Sequence, residues 1–127
     1  MRRLDKLNDS DLLDIEKHFP VQVVFNNLHL EDFLSRIVNG VSEGHGFGVD
    51  YGACVFPGDL DEYDIETSGT FEGVEFGLHN GAEVLLDYKT FYYYLEKVCN
   101  RYCEDFPKDR EIIEKSLEKF RLRFLVD

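Results

Sequence analysis

His79-Asn80-Gly81 stands between two apolar runs, Phe71 to Leu78 and Ala82 to Leu86. Asn-Gly supplies the positive backbone φ that a tight hairpin turn needs, so this spacing is the strongest short-range fold signal in the chain. It predicts an antiparallel hairpin near the middle of the sequence. Within it Val74, Phe76 and Leu78 alternate with Glu75 and Gly77. One face should therefore pack inward and the other stay open. A two-stranded hairpin is marginal alone and needs further strands or a covering helix.

The remaining pattern offers both. Gly52 to Phe56 reads as a short strand stopped by Pro57-Gly58, Asp59 to Asp64 as a polar loop, and Ile65 to Thr67 as a brief strand before Ser68-Gly69. Gly40 to Gly48, with four glycines, reads as a connecting loop entering the sheet. It has neither the basic residue nor the following helix of a phosphate cradle. Toward the N-terminus, Asp9 or Ser10 is positioned to cap a helix to His18, with Leu12, Leu13, Ile15 and Phe19 as its apolar positions and Pro20 as its stop. Val21 to Phe25 follows as an extended segment, and Asn26-Asn27 as a turn. Leu30, Phe33, Leu34, Ile37 and Val38 form the stripe of a second helix, closed by Asn39-Gly40.

Two helices complete the chain. Asp87 caps the longer, which runs to about Glu104 with Phe91, Leu95, Val98, Cys99, Tyr102 and Cys103 on one face. Pro107 opens the second, with Ile113, Leu117, Phe120 and Phe124 inward and Arg110, Lys115, Lys119, Arg121 and Arg123 outward. The 127 residues thus predict one α+β domain over 1–127. It is a small antiparallel sheet with a central β-hairpin, flanked by N-terminal helices and two C-terminal helices. An acidic β-rich centre covers about 49–87 and the helical pair about 88–124. Eleven Phe and seven Tyr supply ample burial despite the charge, which argues against disorder.

That charge is −12, and it is unevenly placed. Between Ile37 and Tyr88 there is no lysine or arginine, yet there are eleven acids. A one-signed field repels itself and opposes compaction, so it calls for a compensating feature. A positively charged partner is one; a protein kept soluble by its own charge is the plainer alternative. The residues placed at such a partner surface are Asp59, Asp61, Glu62, Asp64, Glu66, Glu72 and Glu75, with Tyr63 as an aromatic anchor.

Chemistry finds less support. An EF-hand loop starting at Asp59 would need Gly and Glu where Asp64 and Thr70 stand. The sequence has no nucleophile elbow, Walker loop or dinucleotide fingerprint. Cys54, Cys99 and Cys103 fit neither a secreted disulfide pattern nor a metal motif and read as reduced, buried small hydrophobes. No catalytic, cofactor-binding or metal-ligating residue is assigned. Direct nucleic-acid binding is opposed by the overall charge. No apolar run approaches the roughly 18 residues of a membrane span, and the basic N-terminus lacks a signal peptide's apolar stretch, so a cytoplasmic protein is expected.

Glu72-Gly73-Val74-Glu75-Phe76-Gly77-Leu78, then Asp87-Tyr88-Lys89-Thr90-Phe91-Tyr92-Tyr93-Tyr94-Leu95-Glu96-Lys97-Val98-Cys99 and Tyr102, carry a resemblance. The chain resembles the CdiI family, immunity proteins of bacterial contact-dependent growth inhibition (CDI) systems, in particular those paired with ribonuclease toxins. The similarity covers roughly residues 70–125 and rests on a strand–turn–helix pattern with a Phe-Tyr-x-Tyr-Leu core. It implies a non-enzymatic cytoplasmic protein that needs no cofactor. Such a protein binds the C-terminal nuclease domain of its cognate toxin and blocks it. The resemblance carries over no binding residue. An acidic adaptor or nucleic-acid mimic without a toxin partner is the second reading, and a small carboxylate-dependent hydrolase the third.

Overall fold

The computed structural model describes residues 7–28 and 34–126. Four strands, β1 (Phe47–Val49), β2 (Gly52–Val55), β3 (Val74–Leu78) and β4 (Glu83–Leu86), form an antiparallel sheet in the order β1-β2-β3-β4. The expected hairpin is β3–β4, with Val74 opposite Leu86 and Gly77 opposite Glu83. At its turn the Gly81 N–H donates to the Leu78 carbonyl at 2.9 Å, with Gly81 at a φ of 96°. A β-branched or bulky residue is strained at such a φ, which is why the Asn-Gly pair is informative.

The described helices are α1 (Ile15–Asn26), α2 (Leu34–Ser42), α3 (Glu62–Ser68), α4 (Tyr88–Asp105) and α5 (Arg110–Phe124). Asp87 caps α4 as its position suggests, accepting from the Thr90 N–H at 2.7 Å. The predicted α4 stripe is buried throughout, and Pro107 sits in a 3-10 turn, Pro107–Asp109, that leads into α5. Helices α1 and α4 cover one face of the sheet, and α5 lies against α4 and α2.

Phe91 of α4 sits at the junction of these layers. Its ring centroid lies 5.5 Å from Phe120, 5.6 Å from Phe56, 5.8 Å from Phe76 and 6.3 Å from Phe25. One side chain thereby touches α5, the end of β2, β3 and α1. All five rings are buried.

Several local expectations are overturned, each by burial or by a cap. Pro20 does not end a helix; it lies inside α1, which starts at Ile15 and includes Val21 to Phe25. Asp14, not Asp9 or Ser10, is the cap, accepting from the Lys17 N–H at 3.1 Å. An interior proline costs a helix about 3 kcal/mol. Complete burial of Val21, Val24 and Phe25 against the sheet offsets it, at roughly 1.5–3 kcal/mol for each side chain. Leu13 and Ile15 turn out exposed. Asn39-Gly40 does not close α2, which continues to Ser42 because Val41 is buried one turn beyond Val38. The expected helical positions Leu30 and Phe33 lie outside the described residues. The glycine-rich connection ends in a strand, β1, and Ile65 to Thr67 is helical rather than extended. Leu78 is only half-buried, next to the turn.

The segment before α1 is held down by polar contacts to α4. Arg101 makes a two-pronged pair with Asp11, its second nitrogen 2.8 Å from Oδ1. The Tyr93 hydroxyl donates to the Asp11 carbonyl at 3.2 Å, and the Leu13 N–H donates to the Tyr94 hydroxyl at 2.8 Å. The Arg101 hydrogen bonds hold the Asp11 carboxyl down from 3.8 to about 2, outweighing the effect of burial.

Two outcomes are expected. Phe91→Ala should lower the unfolding free energy by about 3–5 kcal/mol, read from urea midpoints, since it empties the junction of four elements. Because the Asp11 value is lower in the folded chain, its contribution is present above the unfolded pKa and fades as the pH falls toward about 2. Asp11→Asn should therefore cost about 2 kcal/mol at neutral pH and progressively less below pH about 4, measured by denaturation across pH.

Candidate functional site

The alternation in the hairpin leaves one sheet face without a helical cover. Gly48, Ala53, Val55, Glu75, Gly77, Glu83 and Leu85 point to that side, and none of them is buried. The register sets Gly48, Ala53, Gly77 and Glu83 in one row across the four strands. In the next row Val55, Glu75 and Leu85 lie side by side. The face is thus a floor of minimal side chains with two carboxylates and exposed aliphatic groups around it.

Helix α3 builds a wall beside this face. Asp61 and Asp64 cap its start reciprocally: the Asp64 N–H donates to Asp61 Oδ1 at 2.8 Å, and the Asp61 N–H to Asp64 Oδ2 at 3.3 Å. This Asp-x-x-Asp exchange satisfies amides that a helix end otherwise leaves without partners. It is the signal in the sequence that argues for a helix where a loop and strand were expected. Between α3 and the sheet runs a groove of about 470 Å³, lined by Val55, Leu60, Asp64, Gly69, Thr70, Phe71 and Glu75.

The sequence-nominated acids fall into two groups. Asp59 is a clasp rather than a free charge. Its Oδ2 accepts from the Gly46 N–H at 2.9 Å and the Phe56 N–H at 2.8 Å, and its side chain is 29% exposed. That clasp brings the chain so close at Gly46 that an added Cβ would lie 1.9 Å from the Cys54 carbonyl oxygen. Asp61 and Asp64 are partly engaged in the cap, though Asp64 also faces the groove.

Glu62, Tyr63, Glu66 and Glu72 are exposed, Tyr63 to 71%. Glu75 is half-buried, and burial, with the Glu83 carboxylate beside it, pushes its carboxyl above the ordinary range. Among the described residues, no lysine or arginine pairs with Glu62, Asp64, Glu66, Glu72 or Glu75; the lysine and arginine pairs lie on the helices, the N-terminal segment and Glu43 just past α2, and His45 Nδ1 lies 3.8 Å from Asp59 Oδ1. Helix α3 and β3 thus bring Asp64 and Glu75 to one groove, while Asp59 is turned to backbone support. Glu83 and Leu85 join the same face and were not nominated. The hairpin alternation, read one strand further, is the signal that places them there.

The described residues hold no group of three or more His, Cys, Asp or Glu arranged to take a metal ion. All three cysteines are free and buried, and burial pushes the Cys54 thiol well above its ordinary value, so it is a poor nucleophile. Among the described residues no helix is long and apolar enough to cross a membrane. What the arrangement offers chemically is a surface: uncompensated negative charge, exposed apolar groups and a shallow groove.

One expectation separates the two groups of acids. Asp59→Ala should cost about 1–3 kcal/mol by thermal or chemical denaturation, because two backbone amides lose their acceptor. Glu62→Gln and Glu66→Gln should each stay within about 0.5 kcal/mol of the parent.

The family model described as CDI immunity protein (CdiI_4) matches residues 16–117, from the first turn of α1 into α5, and so includes the whole acidic window. No curated protein matches the chain.

Proposed function

Because the chain belongs to the CDI immunity protein family, and so serves as the immunity partner of a CDI toxin, we propose that it neutralises a nuclease toxin by covering its basic surface. A ribonuclease is the favoured toxin class. The carrying observation is the uncompensated charge: among the described residues Glu62, Glu66, Glu72 and Glu75 stand without a basic partner beside an open sheet face and the α3 groove. A nuclease must present cations to phosphates, and carboxylates can occupy those cations in the phosphates' place. Exposed Tyr63 supplies a rigid aromatic contact next to the acids. Asp61 and Asp64 shape this surface by holding α3, and Asp59 by clasping the turn after β2. The protein acts by binding in the cytoplasm, without cofactor or catalysis, and takes up no nucleic acid itself.

The test replaces Glu62, Glu66, Glu72 and Glu75 with Gln together. Association with the toxin's C-terminal domain should slow by about tenfold or more at low salt, and the salt dependence should flatten. The melting temperature should hold, since among the described residues none of the four carboxylates makes a hydrogen bond or ion pair. A quadruple variant that binds and protects like the parent would move the interface elsewhere. The nuclease assignment has its own readout: the toxin domain should degrade RNA, and stoichiometric immunity protein should stop it.

A further inference from the structure

Helix α3 is a helix that buries none of its described residues. Every described residue from Asp61 to Thr70 is exposed, Tyr63 to 71% and Ile65 to 44%. The segment is nevertheless fixed at both ends. Before it, Asp59 clasps the Gly46 and Phe56 amides. After it, Gly73 passes so close to β4 that an added Cβ would lie 2.3 Å from the Leu86 carbonyl oxygen. Between these anchors the groove of about 470 Å³ separates the helix from the sheet. Half-buried Val55, Leu60 and Phe71 give that groove apolar walls, and Asp64 and Glu75 add carboxylates.

Such a helix is poorly supported in the free protein. Seven residues are too few to hold a helix in water without tertiary packing. Glu62 and Glu66 stand four apart, a like-charged pair that opposes the helix, and Glu66 lies toward the end where the dipole disfavours an anion. Tyr63 and Ile65 are about 200° apart around the axis, so apolar side chains meet water on both sides. A partner that is apolar at its centre and cationic around it relieves every one of these costs, whereas a neutral or acidic partner leaves the repulsion in place. We propose that α3 is the docking arm for the toxin domain. The toxin seats an apolar side chain in the groove, against Val55, Leu60 and Phe71. Lysine or arginine side chains around that anchor meet Glu62, Asp64, Glu66 and Glu75. Tyr63 and Ile65 are buried in the contact, and the contact holds α3 in place. With the partner read as a basic toxin domain, on which this assignment rests, the apolar centre supplies most of the affinity and the acids form its rim.

Ile65→Gln removes apolar contact at an exposed position without changing charge, and Thr70→Phe narrows the groove from its exposed rim. Ile112→Gln, at a comparably exposed position of α5, is the control. Affinity for the C-terminal domain of the cognate CDI toxin is measured by calorimetry at low and high salt, with melting temperatures alongside. Amide hydrogen exchange is followed at Ile65 and Gly69, whose N–H groups donate to the Asp61 and Ile65 carbonyls at 3.1 and 2.8 Å. Ile65→Gln and Thr70→Phe should each weaken binding about tenfold or more at an unchanged melting temperature, while Ile112→Gln binds as the parent does. In the free protein both amides should exchange faster than those of α4, and in the complex they should slow about tenfold or more. Salt-independent binding by the parent would overturn the charge reading and this assignment with it. Salt-dependent binding that Ile65→Gln and Thr70→Phe leave intact, or α3 amides that gain no protection in the complex, would overturn this assignment alone.

Discussion

Phe91 is the constraint on which the other elements converge. A single ring on α4 meets Phe25 of α1, Phe56 after β2, Phe76 of β3 and Phe120 of α5. Aromatic side chains bury large areas at low conformational cost, and tilted or edge-on pairs add to simple burial. The helices therefore collect on the side of the sheet that carries Phe76 and Cys54. The consequence for function is on the other side: with α1, α4 and α5 gathered around Phe91, the opposite sheet face is left to α3 alone, which stands beside it. Core and candidate surface are two results of one alternation in β3, where Phe76 turns inward and Glu75 outward.

Charge is distributed by the same division of labour. Arg101 and Lys97 approach Asp11 and tie the N-terminal segment to α4. Lys115 pairs with Glu111 on α5, and Lys119 approaches Glu43 beyond the end of α2. Cations thus serve mainly the helical layer, and among the described residues none pairs with Glu62, Asp64, Glu66, Glu72 or Glu75. Of those acids, Asp59, Asp61 and Asp64 bond to backbone amides, which a carboxylate does well near a helix start or tight turn. Short acidic side chains hold the backbone, and the longer glutamates face outward. For a chain of the CDI immunity family this leaves a packed scaffold under a surface of outward-facing glutamates.

Periodic features were legible in the sequence. The Asn80-Gly81 turn, the alternation of β3, the Asp87 cap and the stripe from Phe91 to Cys103 all reappear, because each depends on neighbours only a few residues away. The misread segments are those where distant contacts outweighed local preference. Pro20 lies in a helix because Val21, Val24 and Phe25 find the sheet, and α2 passes Gly40 because Val41 finds the core. At α3 the deciding contact was local, the Asp61–Asp64 exchange, but it was hidden in a run of acids that also reads as a loop.

The candidate site divides in the same way. That the centre of the chain is acidic, lacks bases and carries one open hairpin face follows from residue order alone, since composition and two-residue alternation need no fold to be read. Which acids hold the backbone and which meet solvent was decided only by the tertiary structure. Asp59 serves Gly46, 13 residues before it, and Glu75 meets Glu83 across a strand pair. The row Gly48, Ala53, Gly77 exists only once three strands are in register, because side chains become neighbours across a sheet by pairing and not by sequence distance.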